Sequence, residues 1–233
     1  MKNLELQKCI LGSVYTNCYF LKNKTTGELL IIDPADAPER IVSKVNEMQA
    51  TPVAILLTHG HFDHIMAADA VRKKYGISVY ACSEEVETLQ NAGVNLSQYH
   101  GASVTLKPDV LLADLPCSGL GIMGRKNDIK YQMTQQQLSE LAQLQRDILS
   151  VIWKYVKPGG EMIFSTCTLN RGENIENIRW IEENTPMRLV SIEDYLPETL
   201  KGRTGSQGYL QLIPGEDTCD GFFISKFKRP EAK

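Results

Sequence analysis

Two short apolar runs, each ending in a cysteine motif, set the tightest limit on what this chain can fold into. Asp109-Val-Leu-Leu-Ala113 runs into Asp114-Leu-Pro-Cys-Ser-Gly119, and Glu161-Met-Ile-Phe-Ser165 runs into Thr166-Cys-Thr168. The first reads as a strand buried on both faces, the second as its partner in kind. Between them, Thr134 to Tyr155 carries Leu138, Leu141, Ile148, Leu149 and Ile152 on one helical stripe, with Thr134 and Gln137 spaced as a capping box. Asn174 to Glu183 predicts another helix, and Gly221 to Ser225 a last strand. Strands alternating with helices define an α/β layer. In open α/β sheets the chemistry gathers just beyond the strand C-termini, which is where Cys117 and Cys167 stand. Two such thiols suit a covalent reaction in which one adds as thiolate and the other helps remove a proton.

The upstream residues alternate in the same way. Cys18–Leu21 and Leu29–Ile32 predict strands joined by a hairpin across Lys24-Thr-Thr-Gly27. Glu39 to Met48 has helical spacing in Ile41, Val42, Val45 and Met48. Val53–Leu57 predicts a buried strand, Ala67–Tyr75 a helix capped by Gly76, and Ile77–Ala81 another strand.

Directly after Val53–Leu57 comes Thr58-His-Gly-His-Phe-Asp-His64. A tight loop at a strand end can aim His59, His61, Asp63 and His64 at one or two metal ions, and imidazole nitrogen suits zinc. The only other histidine, His100, also precedes residue 101.

These motifs resemble two families. Residues 1–108 are similar to the N-terminal half of metallo-β-lactamase-fold hydrolases, particularly the hydroxyacylglutathione-hydrolase-like members. The likeness rests on the strand pair, Ile32-Asp-Pro34, the Thr58–His64 block and Asn95-Leu-Ser97. It implies that His59 and His61 serve one metal, and Asp63 and His64 a second; the later ligands of that family are missing from this sequence, so the expectation is a partial site holding at most one zinc per chain, weakly. Residues 109–233 resemble the catalytic half of RNA (cytosine-5) methyltransferases, the bacterial small-subunit rRNA enzymes of the Sun/Fmu (RsmB) type. That likeness runs through DLPCSGLGIMGRKNDIKY, LAQLQRDIL, Trp153, KPGG, STCTLNRGENIENI and CDGFFISKFKR. It implies S-adenosylmethionine as cofactor and rRNA as partner. Cys167 would be the nucleophile that adds to C6 of cytosine, and Cys117 would assist elimination after methyl transfer to C5. Asp114 and Pro116 would contact the flipped base. Arg125, Lys126 and Lys130 read either as RNA-phosphate contacts or as a solvated basic loop. The resembled enzymes bind their cofactor on strands and a Gly-rich loop that come earlier, and no such loop precedes Asp109.

The expected fold is α/β, a metallo-β-lactamase-like half joined to the C-terminal half of a Rossmann-like methyltransferase sheet. Composition fits: 42% hydrophobic and 23% charged residues describe a globular chain. A net charge of −3 excludes a globally basic nucleic-acid binder, though not a local basic groove. No apolar run is long enough for a membrane span, and the start lacks the apolar core of a secretory signal. The six cysteines are scattered, as in a reducing cytoplasm rather than a secreted disulfide scaffold. Each half lacks elements that would cover it, so apolar surface left open would favour homo-oligomers. Three functions stay open: a methyltransferase half working through Cys117 and Cys167, a zinc-dependent hydrolase, and a non-catalytic chimera.

Overall fold

Why the N-terminal strands pair as they do follows from a turn. Gly27 takes a left-handed φ of 77°, and its N–H bonds the Asn23 carbonyl at 2.8 Å. The chain thereby folds back, pairing β2 (Thr16–Asn23) antiparallel with β3 (Glu28–Ile32). The computed structural model describes residues 3–101, 103–125 and 133–231. They form two compact units, Met1–Leu111 and Leu112–Lys233.

In the first unit, β3 pairs parallel with β4 (Thr51–Leu56), and β4 pairs parallel with β5 (Ser78–Cys82). The crossovers are α1 (Pro38–Glu47) and a pair of helices, α2 (Phe62–Ile65) and α3 (Ala68–Tyr75). Gly76 ends α3 in the left-handed conformation, its N–H bonded to Arg72 O, as the sequence predicts. A further short helix, α4 (Val86–Gln90), follows β5. The core gathers Phe20, Leu29, Ile31, Ile41, Ile55, Val71 and Val79. Asp109 closes this unit: its N–H bonds Val79 O at 2.9 Å, and its carboxylate accepts from Val79 N–H and Arg72.

Two features depart from the sequence reading. β4 is not buried on both faces, since Val53 is 41% exposed while Ala54 and Ile55 are buried. A strand also precedes β2: β1 (Leu4–Leu11) pairs antiparallel with it from Leu4–Asn23 to Leu11–Thr16. Its pattern is inverted. Leu4, Leu6 and Ile10 face outward, while Glu5, Gln7 and Cys9 are half-buried, so polarity gives no sign of which face is inner.

β6 (Val110–Asp114) spans the boundary between the units; Val110, Leu111 and Ala113 are buried. In the second unit, β7 (Glu161–Thr166) pairs antiparallel with β10 (Phe222–Lys228), which also pairs with β8 (Arg188–Leu189) and β9 (Tyr209–Leu212). The long helix is α5 (Gln135–Ile152), and Thr134 and Gln137 form the expected capping box. Its buried face is rotated from the apolar stripe: Ala142, Gln145, Leu149 and Ile152 point inward, while Leu138 and Leu141 are half-buried. α6 (Ile175–Asn184) supplies Ile178 and Ile181 to the same core. β10 outruns its sequence signal because Lys226 lies buried within it, 2.9 Å from Glu161 on β7. None of the described helices is long and apolar enough to cross a membrane.

Phe164 is fully buried, edge-on to Phe223 with ring centroids 6.0 Å apart. Phe164→Ala should cost about 3–5 kcal/mol, read from chemical denaturation. A loss under about 1 kcal/mol would show that β7 is not the core of its unit.

Candidate active site

The thiols sit on two loops that leave neighbouring elements of the second unit, and short contacts hold the loops together. Cys117 follows β6 and Cys167 follows β7, and their Sγ atoms are 3.2 Å apart. Leu115 N–H bonds Ser165 O at 3.2 Å, just before the loops begin. One residue beyond the cysteines, Ser118 Oγ and Thr168 Oγ1 share a hydrogen bond of 2.7 Å. Next, Gly121 N–H bonds Cys167 O at 3.0 Å, and Gly221 N–H bonds Gly121 O at 2.8 Å. A Cβ on Gly121 would lie 2.7 Å from the Cys167 carbonyl oxygen and closer still to that of Gly221. Only glycine allows this approach.

Under the loops lies a buried polar layer that the sequence did not disclose. Gln145, fully buried on α5, donates to Pro116 O at 2.8 Å and to Glu173 Oε2 at 3.2 Å. Its carbonyl accepts from Asn177 Nδ2 at 2.6 Å. Glu173 is likewise fully buried; its Oε2 accepts from Ser118 N–H at 2.8 Å and its Oε1 from Asn170 Nδ2 at 2.9 Å. Asn174 ties the second loop down, donating to Thr168 O at 3.0 Å and to Gln211 Oε1 at 2.9 Å while accepting from Thr166 Oγ1 at 2.6 Å. Buried groups of this kind must be satisfied, and here they are. The one available signal was the density of Glu and Asn in RGENIEN, a run that reads as solvated surface when taken alone.

Burial, and then the hydrogen bond to Cys167, pushes the Cys117 thiol up to about 12. Two thiolates 3.2 Å apart would repel. Burial thus keeps the proton on Cys117 at neutral pH.

The other expected substrate contacts divide. Asp114, the last residue of β6, and Pro116 on the first loop are exposed, and Asp114 accepts from Ser165 Oγ at 2.8 Å. Arg125 is exposed and pairs with Asp220 at 2.9 Å. Lys126 and Lys130 lie outside the described residues. A cavity of about 400 Å³ lies between α5 and the segment Asn170–Gly172, with Arg146 and Arg171 in its wall. It has no Gly-rich loop and Glu176 as its sole carboxylate, so it does not fit S-adenosylmethionine.

The histidine loop of the first unit is organised around a different group, Asp33. This buried residue has a left-handed φ of 51°, a conformation that Asp tolerates better than most side chains. Its carboxylate accepts from Thr58 N–H at 2.8 Å and Thr58 Oγ1 at 2.6 Å. His64 Nδ1 stands 3.0 Å from Asp33 Oδ2, off the line of a hydrogen bond, and its Nε2 is 3.5 Å from Asp63 Oδ2. Asp63 itself accepts from Thr16 Oγ1. His59 Nδ1 contacts Thr58 Oγ1 at 3.0 Å, and its ring lies 3.9 Å from that of His64 and 4.8 Å from that of His61. His100 stacks on Phe62, centroids 4.2 Å apart. The contact with Asp33 raises the His64 pKa, whereas burial and then the His64 and His61 charges lower that of His59.

His59, His61, Asp63 and His64 are thus neighbours, but the expected zinc centre is not supported. Asp63 and His64 turn toward each other and toward Thr16 and Asp33. Among the described residues no three His, Cys, Asp or Glu side chains converge on a metal position.

With this geometry in view, the comparisons decide the family. The family model for 16S rRNA methyltransferase RsmB/F matches residues 62–228, and the chain belongs to that family. The match starts upstream of Asp109, inside the first unit. The chain is 33% identical over 134 residues to ribosomal RNA small subunit methyltransferase F of Shigella flexneri serotype 5b, covering 57% of this chain and 28% of the relative. It is 26% identical over 204 residues to the protein of that name in Escherichia coli K12, covering 87% and 40%. The chain therefore spans less than half the length of these relatives. Among solved structures it is similar to BLEG-1 B3 metallo-β-lactamase (40% identity, TM-score 0.42, 45% of this chain and 50% of that one). It is also similar to a methyltransferase homolog protein from Pyrococcus horikoshii (20% identity, TM-score 0.44, 98% and 79%). Membership of the RsmB/F family implies S-adenosylmethionine use.

Two outcomes test the site. Gly121→Ala should cost about 1–3 kcal/mol through overpacking against backbone, seen in denaturation, and should slow diamide-driven joining of Cys117 to Cys167. An unchanged joining rate would show that this contact does not set the sulfur spacing. In the intact protein, alkylation of Cys117 by iodoacetamide, followed by mass spectrometry, should be negligible at neutral pH and rise only as pH climbs toward about 12. Full labelling at neutral pH would contradict a buried thiol.

Proposed function

We propose that the second unit carries the cytosine-handling chemistry of an rRNA (cytosine-5) methyltransferase, with Cys167 as nucleophile and Cys117 as the thiol that serves elimination. The observation that carries this reading is the pair of sulfurs 3.2 Å apart at the ends of β6 and β7. One cytosine ring can meet both in turn. The Cys167 thiolate adds to C6, and the electron pair displaced from the C5–C6 double bond makes C5 nucleophilic. After a new substituent joins C5, loss of the original C5 hydrogen restores the double bond and expels the Cys167 thiolate. The resemblance gives this proton to Cys117, which must first release its own proton to water and then takes the C5 proton as thiolate.

S-adenosylmethionine is the methyl donor the family implies, and the cavity beside α5 does not fit it. The chain's own residues account for addition, for positioning and for elimination. Asp114 and Pro116, exposed beside Cys117, are the proposed base contacts, and Arg125, Lys126 and Lys130 the proposed phosphate contacts. Residues 109–233 are proposed as this functional segment and residues 1–108 as the hydrolase-like one.

Exchange of the hydrogen on C5 needs addition, protonation at C5 and elimination, and no methyl donor. Small-subunit rRNA labelled with tritium at cytosine C5 should therefore release tritium to water in the presence of the protein. The release should vanish in Cys167→Ala. Release equal in the protein and in Cys167→Ala would refute the assignment. Methyl incorporation from labelled S-adenosylmethionine should stay at background; robust methylation would show that the cofactor is held by residues outside the thiol unit.

A further inference from the structure

We propose that Glu173 is the positioning residue of the thiol pair: a buried carboxylate that fixes the loop carrying Cys117 against the loop carrying Cys167. The inference rests on reading those thiols as the reacting pair, but its test needs no methyl transfer, so the two can fail separately.

Glu173 is 0% exposed, and among the described residues no cation pairs with it. A buried carboxylate without a counter-ion is costly unless hydrogen bonds replace its water. Here every partner comes from the site. Ser118 N–H, adjacent to Cys117, donates to Oε2 at 2.8 Å, and Asn170 Nδ2, three residues past Cys167, donates to Oε1 at 2.9 Å. Gln145 Nε2 on α5 bridges Oε2 at 3.2 Å and the Pro116 carbonyl at 2.8 Å. One carboxylate thus joins both thiol loops and the helix beneath them. A group serving only the core would be met more cheaply by an apolar side chain of similar volume. What the carboxylate adds is direction: both oxygens accept, so every donor on the two loops has a defined place.

An amide cannot repeat this pattern. Glu173→Gln keeps the size but turns one acceptor into a donor, which faces the N–H of either Ser118 and Gln145 or Asn170. The loops should separate there, and the sulfur spacing with them. Thiol proximity is read from the rate at which diamide, itself reduced, takes two electrons and two protons from the pair to form the disulfide, quantified by mass spectrometry of the native full-length protein. Glu173→Gln should slow this joining by about tenfold or more, since small misplacements cost that much in effective concentration. It should also move Cys117 alkylation to lower pH, because a loosened loop lets water reach the sulfur. Ile178→Val, which thins the core of the same unit away from the loops, should lower the melting temperature and leave both readouts unchanged. Asn170→Ala, on a half-exposed residue, should slow joining by a smaller factor and covers the case in which Glu173→Gln fails to fold. Joining rates in Glu173→Gln or Asn170→Ala equal to the parent, or slowed no more than in Ile178→Val, would overturn the proposal.

Discussion

Two chain segments can run as close as Gly121 and Gly221 do only where neither has a side chain. That contact lets the N–H of Gly121 reach the Cys167 carbonyl, and most of the second unit's chemistry depends on it. Once the loops are joined at this level, Ser118 meets Thr168 and the sulfurs come within 3.2 Å. The strands alone would only bring two cysteines to the same edge. The backbone contact turns a shared edge into a shared position for one substrate ring.

The two units solve a common problem in one way. Each holds a loop after a strand by burying a carboxylate beneath it. Asp33 takes the N–H and hydroxyl of Thr58; Glu173 takes Ser118 N–H, Gln145 and Asn170. In both cases the fixed acceptor replaces water that the loop would otherwise need. The results differ. Among the described residues, Glu173 leaves the sulfurs facing each other with no carboxylate bonded to either, whereas in the first unit His64 lies against Asp33 and Asp63.

Much of the α/β order is legible in the sequence because apolar spacing and caps report local physics. Gly76, the Thr134–Gln137 box and both strand-end cysteines fall where those rules place them. The misses have a shared cause: burial of polar groups is set by partners far away in the chain. Gln145 sits on the face of α5 that polarity would turn to solvent, and it is buried because Pro116 and Glu173 receive its amide. Lys226 extends β10 because Glu161 lies across from it. The histidine motif names donor atoms but not their directions, and among the described residues those donors form no group that could hold a metal.

β1 has a consequence of its own. It turns Leu4, Leu6 and Ile10 to solvent, with Leu6 62% exposed, and among the described residues its only strand partner is β2. One margin of the first unit therefore combines unpaired backbone donors and acceptors with a greasy flank and few charges, against the usual defence of strand edges by charge or proline. Lys8 is the one charged side chain that β1 places on that flank, between Leu6 and Ile10.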